Sequence, residues 1–436
     1  MQRRLSATLL LLVLLGCRSA YEPEPLDEHA IAAHLDAPLA ASVGIEPIAL
    51  TLVQAQTIGI LRHPSLERLR AEHGFADAAA IRADLRPDPE LSLTALWISP
   101  EAVLGGVAAL RWELLPSGTR DARRGLAGSL RASIDARVAS EEWRVAQAAR
   151  VAWLEVARDE RAIALAERSA ALARDTRDFG RSMLDQGATT EAEHAVLDLA
   201  LGEAEREVVA RRGALASSRV RLAEALGLPS SVVVHPLAPL TDGDPLEPAE
   251  PDVPAGATDE LLLARLPDLD EARASYALAE RELELAHLAA LPGVDVGADA
   301  QRDADSTFLG GGGSITLPIH DGNRAGIAEA TTRRRIAALV FQESLFAARA
   351  AVADARAVEA SAADSLAIHE RSVVPLAATA LATAQRAVDA GVVDLLTLLL
   401  ARQRALAAER ATLDLRAAHA IAAARLEAAF GPDPTP

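Results

Sequence analysis

Residues 119–157 read TRDARRGLAGSLRASIDARVASEEWRVAQAARVAWLEVA, and this mixture of Ala, Leu, Arg and Glu continues to Gln186 without a proline. The apolar positions keep to one stripe at helical spacing, while arginines and acids take the other face. This stripe includes Val145, Ala148, Val151, Ala152, Leu154, Ala157 and Ile163. The pattern predicts one helix over 119–186, about 100 Å long at roughly 1.5 Å per residue. Because ordinary helices average about three or four turns, such a helix must bury its stripe against other long helices.

The sequence repeats at a fixed offset. Three glycine pairs are 204 positions apart and two proline pairs are 203 apart, namely Gly118 and Gly322, Gly187 and Gly391, Gly227 and Gly431, Pro64 and Pro267, and Pro89 and Pro292. The shared spacing predicts a tandem duplication over 49–227 and 258–431, in which each half has the order helix, strands, long helix, tight turn, helix. The segment 228–257 is rich in Pro, Asp and Gly and is predicted to be a connector, and 432–436 forms a short tail.

The composition excludes several classes of protein. The formal net charge is −18, which argues against a nucleic-acid partner because a phosphate backbone needs a basic surface. Half of the residues are apolar but only 3% are aromatic, which suits close packing of helices better than a large globular core. The ten histidines are scattered without metal-ligand spacing, and no nucleophile motif or phosphate loop occurs. We therefore expect no catalytic site, no metal site and no cofactor.

Residues 1–17, MQRRLSATLLLLVLLGC, have two arginines, an apolar run and a cysteine at the expected cleavage position. This is typical of a secretory signal that ends in a sequence similar to a bacterial lipobox, which predicts lipidation of Cys17. The alternative is an ordinary signal peptide that happens to contain a cysteine. Cys17 is the only cysteine, so no disulfide can form within the chain. Residues 18–48 are predicted to be a tether.

Two helices are predicted before the first strands, one that ends near His63 and one that runs from Pro64 to about Leu85. From Glu90 the apolar period changes to two, first to about Trp97 and then over 104–114. In the second half, Val and Ala alternate with polar residues over 294–301, and the alternation resumes over 314–317. Such strands fit a transmembrane β-barrel with a watery lumen, and they fit a small soluble sandwich equally well.

Four strands cannot close a barrel, and open strand edges do not occur in lipid. A membrane role therefore requires several chains that pool their strands, and three chains would give twelve. Beyond the leader we expect no membrane-spanning helix, because the best apolar run, Leu395–Leu400, is far shorter than the roughly 18 residues required.

Several motifs resemble those of the outer-membrane efflux protein family, the TolC-like outer-membrane factors of tripartite pumps. They are RPDPELSL at 86–93, ITLPIHDGNRAGIAEA at 315–330, RSMLDQGATTEAEHAVLDLAL at 181–201 and RAVDAGVVDLLTLLLARQR at 386–404. The resemblance covers about 49–431. His320, where the family usually has an aromatic residue, and the bare run Gly310–Gly313 depart from the pattern and leave the strand boundaries open. Pro375 lies in the second long helix, where the family often has a proline, and predicts a kink.

The resemblance implies a mostly α-helical chain with a small antiparallel β part. Three chains would form a twelve-stranded outer-membrane barrel above a long antiparallel coiled-coil tunnel in the periplasm. It also implies a lipid-anchored protein of the cell outer membrane that contacts outer-membrane lipids, a periplasmic adaptor (membrane fusion) protein and an inner-membrane pump. The missing acidic residue after Cys17 fits outer-membrane sorting in that family.

The tips of the two predicted helical hairpins are the candidate sites. A glycine in a tight helix–helix turn takes the left-handed conformation, which is the role predicted for Gly187 and Gly391. The family resemblance adds adaptor docking in this zone, at Gly187, Ala188, Thr189, Gly391, Val392 and Val393. Carboxylates near the tips are Asp185, Asp389 and Asp394. They would either form cation-selective rings at the pore entrance or be solvated helix-end acids.

Two further alternatives stay open. Trp97 and Trp112 on the candidate strands would lie either at a membrane interface or in a packed core. The whole chain would be either the passive, gated channel of an efflux system or a periplasmic lipoprotein that uses its coiled coils as a scaffold. The repeated strand pairs favour the channel. The sequence does not distinguish drugs, metal ions or proteins as the cargo.

Overall fold

The computed structural model describes residues 23–35, 48–98, 103–230, 232–236, 246–247, 251, 253–254, 258–302, 306–390 and 395–432. Cys17 and most of the predicted tail lie outside these ranges. The chain divides into two compact units, Met1–Ile45 and Glu46–Pro436. In the first unit the described element is helix α1, Glu28–Leu35, within the stretch predicted to be a tether. All elements below belong to the second unit.

The helices of the first half are α2 (Leu52–Arg62), α3 (Pro64–Ala71), α4 (His73–Asp84), α5 (Thr119–Asp185) and α6 (Glu191–Ala225). The predicted long helix is confirmed as α5, and Gln186 is its C-cap. The prediction of one continuous helix from Pro64 to about Leu85 was wrong, because Glu72 separates α3 from α4. The Glu72 N–H donates to the Leu69 carbonyl at 3.1 Å, an i−3 bond that tightens the turn at this point.

The helices of the second half are α7 (Asp259–Arg265), α8 (Pro267–Leu288), α9 (Arg324–Ile368), α10 (Val374–Asp389) and α11 (Leu395–Phe430). A five-residue π-helix, His369–Val373, joins α9 to α10, and Pro375 is the second residue of α10. A proline lacks the N–H that continues the ladder and its ring displaces the preceding carbonyl. The predicted kink therefore takes the form of a π-helical widening of the helix.

A four-stranded antiparallel sheet is built from strands β2 (Glu90–Ile98), β3 (Val103–Leu114), β5 (Gly293–Arg302) and β6 (Thr307–Thr316), in the order β2-β3-β5-β6. Gly310–Gly313 lie inside β6, so this strand begins seven residues before the alternation at Ser314 that the sequence shows. The start of β6 was not recognised in the sequence because four consecutive glycines show no alternation of apolar and polar side chains. A separate short parallel pair joins β1 (Ile48–Leu50) to β4 (Val234–Pro236) of the connector.

The helices pack side by side in four columns. Column 1 contains α2, α3, α4 and α6, column 2 is α5, column 3 contains α7, α8 and α11, and column 4 contains α9, the π-helix and α10. Each column packs on the next in this order. The strand order matches because β2 follows α4, β3 precedes α5, β5 follows α8 and β6 precedes α9. Columns 1 and 4 are therefore at the two ends of the helical layer, as β2 and β6 are at the two ends of the sheet.

The core lies along α5, where Trp153 is fully buried and its indole Nε1 donates to the Leu50 carbonyl at 2.9 Å. A second apolar cluster joins α7, α8, α9 and α11 around Leu262, Leu269, Val352 and Phe430. Among the described helices, Arg324–Val388 is long and apolar enough to cross a membrane by length and composition alone. The sequence prediction considered only uninterrupted apolar runs and therefore did not single out this helix, and the expectation that no helix after the leader spans a membrane stays a prediction. Little of this helix's apolar stretch is buried within the chain.

Candidate functional site

The first hairpin tip joins α5 to α6 through a closed set of backbone bonds. The Gly187 N–H donates to the Leu184 carbonyl at 2.9 Å, and the Ala188 N–H donates to the Met183 carbonyl at 2.8 Å. Gly187 has a φ of 70°. These two bonds and a left-handed glycine form the Schellman motif, which satisfies carbonyls that the helix end would leave free. The tip is thus fixed in one geometry by the chain itself.

The second helix of this hairpin begins with a capping box. The Glu193 N–H donates to Thr190 Oγ1 at 3.2 Å, and the Thr190 N–H donates to Glu193 Oε2 at 2.9 Å. The Thr189 hydroxyl donates to the same carboxylate oxygen at 2.5 Å. Two orphan N–H groups at the helix start are satisfied in this way. Gly187 and Ala188 remain exposed at the end of the hairpin.

The other predicted tip residues are only partly described. Gly391, Val392, Val393 and Asp394 lie outside the described residues, and Asp389 is the last residue of α10, with nothing described of its side chain. Asp185 is exposed and lies 3.4 Å from Arg181, four residues earlier on α5. The relative positions of the three carboxylates therefore stay a prediction.

A groove of about 310 Å³ lies between α5, α6 and α11, above the first tip. Its wall includes Arg402 of α11, whose guanidinium donates to Thr176 Oγ1 of α5 at 3.2 Å and to Gln385 Oε1 of α10 at 3.4 Å. Arg402 thus joins three helices near the tips. This link could not be predicted from the sequence, because nothing in the local pattern distinguishes Arg402 from the other arginines of the long helices.

Glu207 of α6 also lines this groove, and it forms an ion pair with Arg211. Arg211 Nε donates to Glu207 Oε1 at 2.7 Å, four residues away on the same helix. This hydrogen bond holds the pKa of the Glu207 carboxyl below its usual range, against a smaller opposing effect of burial. Glu207 is therefore a carboxylate at neutral pH.

The π-helix has its own contacts with α11. His369 Nε2 lies 3.0 Å from the Ala408 carbonyl oxygen. Arg416 donates to Glu370 Oε1 from Nη2 at 2.7 Å and from Nε at 3.0 Å. These bonds fix the widened turn against the neighbouring helix. In the sequence, Pro375 marks this part of the helix as irregular. It predicts a kink, but it does not predict the wider π-helical turn that the structure has.

The two faces of the four-stranded sheet differ in chemistry. Residues opposite each other in register share a face, so Leu91, Leu110 and Ala298 lie on one face and Ser92, Ala109 and Asp299 on the other. The first face is apolar except for Arg302 at the end of β5, and its large exposed apolar side chains are Leu91, Leu93, Trp112, Leu114, Val296, Leu309 and Ile315. Trp112 thus lies on an exposed apolar surface and not in a core of this chain. The side chain of Trp97 is outside what is described.

The second face of the sheet carries the charged residues Glu90, Arg111, Glu113, Asp295 and Asp299. Glu113 and Asp295 are direct cross-strand partners, as are Glu90 and Arg111. Within the described ranges no group of three or more His, Cys, Asp or Glu side chains could hold a metal ion. The chemistry of this face is that of a wetted surface.

Comparison with known proteins identifies the second half of the chain. Residues 260–432 match the family described as "Outer membrane efflux protein". No curated protein matches the sequence.

Solved structures match along most of the chain. One is CusC, whose crystal structures concern conformational changes that accompany folding and transmembrane channel formation. It has a TM-score of 0.73 and 17% sequence identity, and the match covers 88% of this chain and 93% of the CusC chain. The outer membrane protein VceC of Vibrio cholerae has a TM-score of 0.68 and 19% sequence identity, and the match covers 87% of this chain and 96% of the VceC chain. The open state of the MtrE outer membrane channel of Neisseria gonorrhoeae has a TM-score of 0.69 and 18% sequence identity, and the match covers 87% of this chain and 88% of the MtrE chain.

Identities this low show the fold alone, but the fold is shared over almost the whole length of each structure. The family match, at 260–432, also has nearly the same bounds as the second of the two predicted repeats, 258–431. The chain therefore carries an outer membrane efflux protein domain in its second half and has the fold of outer-membrane channel proteins, which confirms the family resemblance predicted from its sequence.

Proposed function

We propose that the chain is the outer-membrane channel component of a tripartite efflux system, a passive and gated conduit from the periplasm to the exterior. The family match over 260–432 and the fold shared with outer-membrane channels support this function. The partners are a periplasmic adaptor protein and an inner-membrane pump. The inner-membrane pump supplies the energy for transport, and this chain forms the passive channel through which the substrate leaves.

The observation that carries the proposal is the sheet. One face is exposed and apolar except for Arg302 at one end, and the other carries the remaining charged residues. The described part of the sheet pairs no further strand with β2 or β6. An apolar face suits lipid and a charged face suits a water-filled lumen. Because strand edges cannot face lipid, β6 of one chain must pair with β2 of another. Three chains give a closed barrel of twelve strands, within the range of known membrane barrels.

The helices continue the conduit below the barrel. Helix α5 has 67 residues, which corresponds to about 100 Å, and its neighbours run beside it as antiparallel coils. In the homotrimer these columns form the wall of a periplasmic tunnel. The adaptor docks at the hairpin tips, at Gly187, Ala188 and Thr189 in the first half and at Gly391, Val392 and Val393 in the second. Acylation of Cys17 adds a lipid anchor in the outer membrane.

The first experiment is to extract the mature protein from outer membranes without boiling. We expect a heat-modifiable trimer on gels and discrete single-channel conductance in a planar bilayer. A lipid-tethered monomer without conductance would overturn the proposal and leave a periplasmic scaffold.

The docking assignment has a separate test. Ala188→Glu places a charge on the exposed tip, and Ala148→Glu places the same charge on an exposed position in the middle of α5. We expect the tip variant to lose adaptor binding and export while its trimer yield and conductance stay normal. Equal losses in both variants would argue against docking at the tip.

A further inference from the structure

The apolar face of the four-stranded sheet carries one charged side chain among the residues that the structure describes, that of Arg302. Arg302 is the last residue of β5, and its register partners are Gly106 on β3 and Thr307 on β6. The alternation along β5 places it on the same face as Ala298 and Ala300. A cation at the end of an otherwise apolar surface indicates a partner that is apolar in one part and anionic in another.

The guanidinium of Arg302 is free to meet such a partner. Its side chain is exposed, and it forms no hydrogen bond or ion pair with any residue in the described part of the chain. Arginines of the helices differ in this respect, as Arg124 shows by its pairing with Asp84 at 2.7 Å. On the strands beside Arg302, Gly106 has no side chain and Thr307 has a small one. The space around the guanidinium is therefore open.

Arg302 lies at the end of the sheet that is remote from the helices, because β5 follows α8 and β6 leads into α9. In the proposed channel this end faces the exterior. Val294 and Arg302 occupy the apolar face at opposite ends of β5, about 27 Å apart at roughly 3.4 Å per residue. A strand tilt of about 40° reduces this distance to about 21 Å of height, against an apolar band of about 25 Å in membrane barrels. The guanidinium is thus near the level where lipid headgroups begin.

The energetics of a charge in lipid restrict what Arg302 can contact. An arginine on the lipid side of a barrel is strongly destabilising at the bilayer midplane and almost neutral near the interface. Long cationic side chains near the interface extend toward the headgroups. A phosphate group there offers two oxygens that match the paired N–H donors of a guanidinium. The hydroxyl of Thr307, on the next strand, is a further donor in the same register row.

The surface beside Arg302 has the shape and chemistry to hold a hydrocarbon chain. In the next register row Ala300 lies beside Leu309, and in the row after that Ala298 lies beside Gly311. The two alanines and the bare glycine leave a shallow apolar depression. Leu309, which is 84% exposed, borders this depression. An acyl chain that lies here puts its headgroup at Arg302.

We propose that Arg302 binds the phosphate of a membrane phospholipid whose acyl chain lies against the apolar face of the sheet. The occupant is a lipid and not free phosphate, because the cation adjoins an apolar surface that free phosphate would leave uncovered. The inference rests on the proposed channel and names the lipid chemistry that its outer end recognises. A closed trimer has three such sites, one on each chain.

The test measures lipid bound to the full-length trimer in detergent by native mass spectrometry. The probes are phosphatidylglycerol, which has a phosphate, and a monoglucosyl diacylglycerol with the same acyl chains, which has none. Arg302→Gln removes the guanidinium charge. Arg111→Gln is the matched control, because Arg111 lies on the opposite, charged face of the same sheet. Inorganic phosphate in excess is the competitor, and conductance is recorded on the same samples.

We expect the unmodified trimer to bind up to three phosphatidylglycerol molecules in preference to the glucosyl lipid. Arg302→Gln should weaken the binding of phosphatidylglycerol about fivefold at each site, the effect of one cation near a membrane surface. Arg111→Gln should bind it as tightly as the unmodified chain. Inorganic phosphate should not displace the lipid.

The outcomes separate this inference from the proposed function. A conducting trimer in which Arg302→Gln binds phosphatidylglycerol as tightly as the unmodified chain overturns the lipid site and leaves the channel intact. Equal binding of the two lipids by the unmodified trimer does the same, and this comparison decides the matter even if Arg302→Gln fails to assemble. Displacement by inorganic phosphate overturns the assignment to a lipid. A monomer without conductance overturns both proposals.

Discussion

Gly227 lies directly against Arg62, and a Cβ atom on Gly227 would be 2.7 Å from the Arg62 carbonyl oxygen. Gly431 has the same relationship to Arg265, at 2.6 Å. Both glycines have positive φ, 64° and 82°. Each glycine follows the end of a long helix and lies at the junction between two shorter helices of the same column, α2 and α3 or α7 and α8. The two halves of the chain thus use the same joint, and a side chain at either glycine would both strain the backbone and collide with it.

We predict that Gly227→Ala destabilises the protein by at least about 1–3 kcal/mol, the cost of a non-glycine residue in this backbone region, with the collision in addition. The matched control is Gly202→Ala on the same helix α6, where a Cβ meets nothing within 4 Å. That substitution should be neutral or stabilising by up to about 1 kcal/mol. Thermal unfolding followed by circular dichroism measures both, and equal midpoints for the two variants would contradict the prediction.

The same glycines explain why so much of the fold could be predicted. Gly187, Gly227 and Gly431 have positive φ at helix ends, and few other residues tolerate that conformation. Their spacing therefore reports where helices end, and the proline-free run after Thr119 reports where the longest one continues. The length of α5 was predicted to within one residue for this reason.

Other features depend on contacts between distant residues and could not be predicted. Gly310–Gly313 give no alternation, so β6 was located only in part. The link from Arg402 to Thr176 depends on how α11 lies against α5. The stripe of α5 was also imperfect, since Ala148 is exposed. Periodicity finds an apolar face, but it does not say which neighbour covers that face.

The sheet offers a second glycine comparison. A Cβ on Gly297 of β5 would be 2.6 Å from the Leu110 carbonyl oxygen of β3, whereas a Cβ on Gly312 of β6 meets nothing within 4 Å. We expect Gly297→Ala to separate these strands and sharply reduce the yield of heat-modifiable trimer, while Gly312→Ala leaves it unchanged. Densitometry of unboiled samples measures the yield. A normal yield for Gly297→Ala would show that the strands can shift to admit a methyl group.

Arg402 is expected to restrain the helices near the tips. Arg402→Ala removes the hydrogen bonds to Thr176 and Gln385, and the loss of about 1 kcal/mol per chain would raise the population of a more open state about fivefold. The readout is the open probability of single channels in a planar bilayer. Arg404→Ala, an exposed arginine two residues later on the same helix, is the control. The prediction is wrong if both variants open equally often.

The pair Glu207 and Arg211 predicts a pH dependence of stability. The pKa of Glu207 is lower in the folded protein than its ordinary value of 4.5, because Arg211 hydrogen-bonds the carboxylate. The folded state therefore binds this proton less well, so the contribution is complete above about pH 4.5 and is lost as the pH falls through the lower folded pKa.

Glu207→Gln should accordingly lower stability at pH 7 by about 0.3–0.5 kcal/mol, the value of a helical i,i+4 ion pair, and should have almost no effect at a pH below the folded pKa. Glu203→Gln, an exposed acid one turn earlier on α6, is the matched control and should change little at either pH. Melting midpoints of the three chains at both pH values decide the matter. A deficit in Glu207→Gln that is equally large in acid would mean that the side chain acts through packing and not through its charge.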